Sequence, residues 1–125
     1  MKIVPSLLLP AVLASVLAPT ACAQDPTGSY ELLKKDGSPV EPNHVWGVIV
    51  MPVFGIPGWY VFAVYRDGDP VPNEGGRIVA TGPGTYAWEN SRGTTGTLRA
   101  APGGDFVSTV TSGPNQGTER LWDKQ

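Results

Sequence analysis

Apolar and polar positions change over in short runs along this chain, and turn-forming residues interrupt them at nearly regular intervals. No stretch of 12 residues keeps apolar positions at helical spacing. The pattern predicts eight strands: Tyr30–Lys35, Val45–Phe54, Trp59–Arg66, Arg77–Thr81, Thr85–Asn90, Thr95–Ala101, Asp105–Thr111 and Thr118–Asp123. Between them lie Asp36-Gly37-Ser38-Pro39, Gly55-Ile56-Pro57-Gly58, Asp67–Gly76, Gly82-Pro83-Gly84, Ser91-Arg92-Gly93, Pro102-Gly103-Gly104 and Ser112–Gly117. Such segments supply the positive φ angles and preset bends that chain reversals need. Connections this short favour antiparallel neighbours, because a parallel crossover takes a dozen or more residues. The expected fold is all-β: an antiparallel up-and-down meander whose closure into a barrel would remove its exposed edges.

One region breaks the alternation. Val45 to Tyr65 is 21 residues without a charge. Its length alone would suit a membrane span. Two prolines and three glycines interrupt it, however, and fourteen of its residues are Val, Ile or aromatic, which suits strands. A hairpin turning at Gly55–Gly58 is expected. Both parities are apolar, with Trp46, Val48 and Val50 on one face and Val45, Ile49 and Met51 on the other. Such a strand is either buried on both faces or leaves an apolar surface for something else.

The first 23 residues differ from the rest. Met1-Lys2 is a short positive start, Ile3–Ala18 is apolar and uncharged, and Ala21-Cys22-Ala23 is a small-x-small cleavage site before Gln24. Together they predict a secretory signal peptide over 1–23 and a single mature domain over 24–125, acting in the periplasm or outside the cell. Cleavage would remove the only cysteine, so no disulfide would hold the domain. Lipidation of Cys22 is the alternative, and membrane attachment is expected only in that case. Pro19 stands where lipoprotein signals carry an aliphatic residue. The mature chain has eight basic and eleven acidic residues, mostly scattered, which gives no reason to expect nucleic acid as a partner.

Few catalytic arrangements are available. His44 is the only histidine, and no Gly-x-Ser-x-Gly elbow accompanies it. Zinc sites need several His or Cys ligands. Asp67, Asp69, Asn73 and Glu74 cluster in one loop but match no calcium-loop spacing. Glu31, Glu89 and Glu119 fall on expected strands, as outward residues or as candidates for acid–base chemistry. The glycine-rich turns have no helix behind them to cradle a phosphate. No catalytic residue, metal ligand or cofactor is assigned. A small barrel enzyme using carboxylates and His44 remains one alternative.

Three short motifs resemble a known family. Gly28-Ser29-Tyr30-Glu31-Leu32-Leu33, followed by Asp36-Gly37, is similar to the opening Gly-x-Trp strand of lipocalin-like barrels in the calycin group, with Tyr30 in place of Trp. Gly84-Thr85-Tyr86 resembles the Gly-x-Tyr strand of small bacterial members. Gly117-Thr118-Glu119-Arg120-Leu121-Trp122 resembles the closing strand. The resemblance implies a closed barrel that binds small apolar molecules rather than catalyses, with Arg120 packed across Tyr30 where the first and last strands meet. Trp46, Trp59, Tyr60 and Phe62 are the expected ligand contacts. The expected partner is a small apolar molecule, or alternatively an envelope protein docking on the 45–65 hairpin. Nothing in the sequence sets an oligomeric state.

Overall fold

The computed structural model describes residues 25–40 and 43–125. The expected signal peptide, with Cys22, lies outside the described residues. The chain forms β1 (Gly28–Lys35), β2 (Ser38–Pro39), β3 (Trp46–Pro52), β4 (Trp59–Arg66), β5 (Asp69–Pro70), β6 (Gly76–Gly82), β7 (Thr85–Asn90), β8 (Thr95–Ala100), β9 (Phe106–Ser112) and β10 (Glu119–Lys124). β2 and β5 are two-residue pieces that pair with β1 and β4. The eight longer strands form one antiparallel sheet in the order β10-β9-β8-β7-β6-β4-β3-β1, and β10 pairs with β1 to close it. The expected all-β meander and its closure are both present. Val45–Tyr65 contributes β3 and β4, paired from Trp46↔Arg66 to Pro52↔Tyr60. No helix among the described residues is long and apolar enough to cross a membrane.

The seam is bonded along its whole length. Tyr30 pairs with Lys124, Leu32 with Trp122 and Lys35 with Arg120. Backbone hydrogen bonds from Gln125 N to Ser29 O (2.9 Å) and from Asp36 N to Glu119 O (2.7 Å) extend it at both ends. A bulge sits between Leu32 and Lys34. An extra residue in one strand resets the inside–outside alternation. Tyr30, Leu32 and then Lys35 therefore face inward, while Leu33 is left exposed on the wall.

This register corrects the expected pairing of Tyr30 with Arg120. The cation over the Tyr30 ring is Lys124, whose Nζ lies 5.8 Å from the ring centroid and donates to the Thr27 carbonyl at 3.0 Å. Arg120 pairs with Lys35, five residues further along β1. At about 3.3 Å per residue that is about 16 Å away. The motif located the two strands correctly, but antiparallel pairing puts the residue at the end of β10 over the ring near the start of β1.

Buried side chains gather towards one end: Tyr30, Val50, Ile78, Tyr86, Leu98 and Phe106, with Tyr60, Phe62, Trp88 and Trp122 packed against them. Gly96 makes room for one of these. It pairs with Trp88 across the β7–β8 ladder, and a Cβ there would overlap the Trp88 ring and the Thr109 carbonyl. Gly96→Ala should therefore destabilise the barrel by about 1–3 kcal/mol, the usual range for overpacking. The expected result is a lower denaturant midpoint with an unchanged slope.

Candidate ligand-binding site

The barrel encloses a cavity of about 940 Å³. This is at the upper end of the roughly 300–1,000 Å³ range of small-molecule sites. Its wall is built from alternate residues of successive strands. Val48 and Val50 come from β3, Phe62 and Val64 from β4, and Trp88 from β7. The Phe62 and Trp88 rings meet edge to face at 6.3 Å. The polar atoms in this middle section are mostly engaged. Trp122 Nε1–H donates to the Ser108 hydroxyl at 2.9 Å, and Trp88 Nε1–H to the Thr97 carbonyl at 3.1 Å. What remains facing the space is largely apolar.

One end has an aromatic floor. Tyr30 and Phe106 meet edge to face at 5.8 Å, Phe106 and Tyr86 at 5.9 Å, and Tyr86 and Tyr60 at 6.0 Å. Such pairs contribute about 0.5–1.5 kcal/mol each beyond their burial. Pro26, the largest fully buried side chain, lies on this floor, and its carbonyl accepts the Tyr30 hydroxyl at 2.7 Å. Burial, assisted by the Asp25 carboxylate, raises the Tyr30 hydroxyl to about 12. Burial and the neighbouring Tyr60 raise Tyr86 to about 12 as well.

The opposite end is polar and open. Lys35, Arg92, Asn115 and Arg120 line it together with Trp46. Arg92 is held by an ion pair to Glu74. Arg120 differs from it. Burial pulls its guanidinium below the ordinary arginine value, with the Asp36 charge opposing the shift. Among the described residues, no carboxylate comes within ion-pair distance of Arg120. The β1 bulge turns Lys35 in beside it. Two cations thus face an apolar cavity from one point of its mouth.

The four aromatic residues expected to contact a ligand are placed differently from one another. Trp46 lines the mouth with the Arg66 guanidinium over its ring at 5.8 Å, and Phe62 lines the middle. Tyr60 stands in the floor against Tyr86. Trp59 is on the outer wall, 39% exposed, away from the cavity. Trp88, Trp122, Lys35 and Arg120 line the cavity without having been singled out for it. His44 pairs through Nδ1 with Asp67 Oδ2 at 2.7 Å on the exposed rim. The Asp67 carboxyl is held below the usual range by the Val45 N–H and then by His44. Among the described residues, no three His, Cys, Asp or Glu side chains are grouped to hold a metal ion.

Among solved structures, the chain is similar to As-p18, an extracellular fatty acid binding protein, with a TM-score of 0.53 and 13% identity over 79% of this chain and 95% of that one. At that identity the likeness shows the fold, a calycin-like barrel. No family model and no curated sequence matches the chain.

The floor carries a pH signature. A tyrosine whose folded value exceeds its unfolded value near 10 favours the fold while protonated. Its stabilisation is complete below about pH 10 and is lost as the pH climbs from about 10 towards 12. Unfolding free energy should fall across that window, and tyrosinate absorbance should show late-titrating groups. Tyr30→Phe with Tyr86→Phe should shrink both the fall and the late signal, leaving the smaller contribution of Tyr60, which burial also raises.

Proposed function

We propose that this protein binds one elongated apolar molecule with an acidic head group, the chain in the barrel and the head at the mouth. Arg120 carries the reading. A half-buried guanidinium that forms no ion pair among the described residues, facing an otherwise apolar space, is suited to an incoming anion. Lys35 beside it adds a second positive charge. The cavity volume and its aromatic and aliphatic wall suit a hydrocarbon chain. A fatty acid or another long-chain carboxylate meets both requirements, and the fold likeness to a fatty acid binding protein supports the same class. Trp46 and Phe62 are proposed contacts, joined by Trp88 and Trp122; Tyr60 would support the floor. Trp59 is not among them.

The role is carriage or sequestration rather than catalysis. His44 and Asp67 face solvent on the rim, and Arg77 Nη2 and Glu89 Oε1 pair with each other at 2.9 Å on the exposed outer wall. The leader-like segment Met1–Ala23 supports export, with the barrel working outside the cytoplasm.

Titration with a long-chain carboxylate, followed by tryptophan fluorescence, tests the reading, because three of the four tryptophans line the cavity. Binding at one site per chain is expected. A hydrogen bond to a charged group contributes about 1.5–3 kcal/mol. Arg120→Gln should therefore weaken carboxylate binding roughly 10- to 100-fold, since 1.4 kcal/mol is tenfold. The matching long-chain alcohol should lose much less. Equal loss for acid and alcohol would remove the head-group role, and no uptake of either would remove the ligand-binding reading.

A further inference from the structure

The outer face of β3 and β4 has a use that the cavity does not explain. Met51 is 58% exposed and pairs with Val61, itself exposed, while Ile49 and Trp59 flank them on the same wall. The hairpin tip continues this surface. Phe54 is 97% exposed and Ile56 is exposed beside it. No charge falls between Val45 and Tyr65, and the patch ends at Arg77, whose charge is taken by Glu89 at 2.9 Å. Six large apolar side chains thus share one wall and one tip in water. Single exposed apolar residues are ordinary, but a contiguous group marks a surface meant for contact.

We propose that this hairpin tip docks on the uncharged surface of a phospholipid bilayer, with Phe54 and Ile56 entering the acyl boundary. Three observations favour lipid over a polypeptide. The tip satisfies much of its own backbone, which an apolar phase demands: Val53 N donates to Trp59 O (2.9 Å), Ile56 N to Val53 O (3.3 Å) and Trp59 N to Ile56 O (3.2 Å). Pro52 and Pro57 bring no N–H at all. The closed barrel has no free long edge on which a second copy of the chain could extend the sheet. The position along the barrel also fits. Gly28 pairs with Val50, so Asp25–Thr27 enter the barrel at the end where β3 runs on to the tip. Just ahead of the first described residue, Asp25, stand Ala21-Cys22-Ala23 and the uncharged run Ile3–Ala18. Were Cys22 retained and lipidated instead of removed with the leader, its acyl group would be joined to the barrel at this same end.

The placement orients the molecule. The mouth, with Lys35, Arg92 and Arg120, is at the opposite end and would face the aqueous side. The proposal stands apart from the ligand reading, since Phe54 and Ile56 do not line the cavity.

Flotation of the exported protein with phosphatidylcholine vesicles tests it. Binding is expected, it should be insensitive to salt because the surface is uncharged, and Trp59 emission should shift to shorter wavelength. Phe54→Ser with Ile56→Ser should weaken partitioning at least tenfold while leaving the folded spectrum and uptake of a long-chain carboxylate unchanged. Phe54→Trp, read by quenching from brominated lipid, separates insertion of the tip from anchoring through an acylated Cys22. Quenching of the indole introduced by Phe54→Trp supports the proposal even if the amino terminus is lipidated. Four outcomes overturn it: no flotation of the exported protein, no quenching of that introduced indole, binding lost in high salt, or self-association without vesicles that the double variant abolishes.

Discussion

The ladder between Gly28–Lys35 and Glu119–Lys124 is the contact on which the rest of the structure depends. It joins the two ends of the described chain, and no disulfide can assist it, because residues 25–125 contain no cysteine. Closure removes the exposed edges of an eight-strand sheet. It also forces an interior. Eight strands give a lumen that side chains can just fill or that can hold one small ligand. Here the inward residues leave about 940 Å³ open, and the firmly buried cluster is confined towards the aromatic floor. The molecule holds an apolar cavity where a tighter barrel would hold more core.

The same seam sets the electrostatics. Its register puts Lys124 over Tyr30 at the floor and Arg120 beside Lys35 at the mouth. Without the bulge after Leu32, strict alternation would turn Lys34 inward instead of Lys35. One inserted residue thus pairs two cations at the opening of an apolar space. The distribution is polarised from end to end, with buried tyrosines at one end and charged side chains at the other.

Much of this fold was legible in the sequence, and the unread part has a common cause. The eight long strands fall within two residues or so of the runs marked by β-branched and aromatic residues, because glycine, proline and asparagine punctuate every reversal. The turn at Gly55–Gly58 was legible for the same reason: both glycines take positive φ, 81° and 82°. The side of the wall taken by each tryptophan was not. Alternation assigns faces only where one parity is polar, and in Val45–Tyr65 both parities are apolar. Trp46 therefore lines the cavity and Trp59 the exterior, with nothing local to separate them. Arg120 was marked for the seam but against the wrong partner, and its meeting with Lys35 at the mouth was missed, because that meeting depends on cross-strand register and on the bulge, and neither is encoded by local residue preference.

A barrel proposed to be hollow in order to carry cargo makes one demand that can be checked directly. Native mass spectrometry of the protein, purified from its own source without detergent, reads the occupancy of the interior. One small acidic molecule per chain, released on denaturation and replaceable by an added long-chain carboxylate, is the expected result. A chain that emerges empty and takes up no long-chain acid in excess would contradict the claim that the cavity is a binding site.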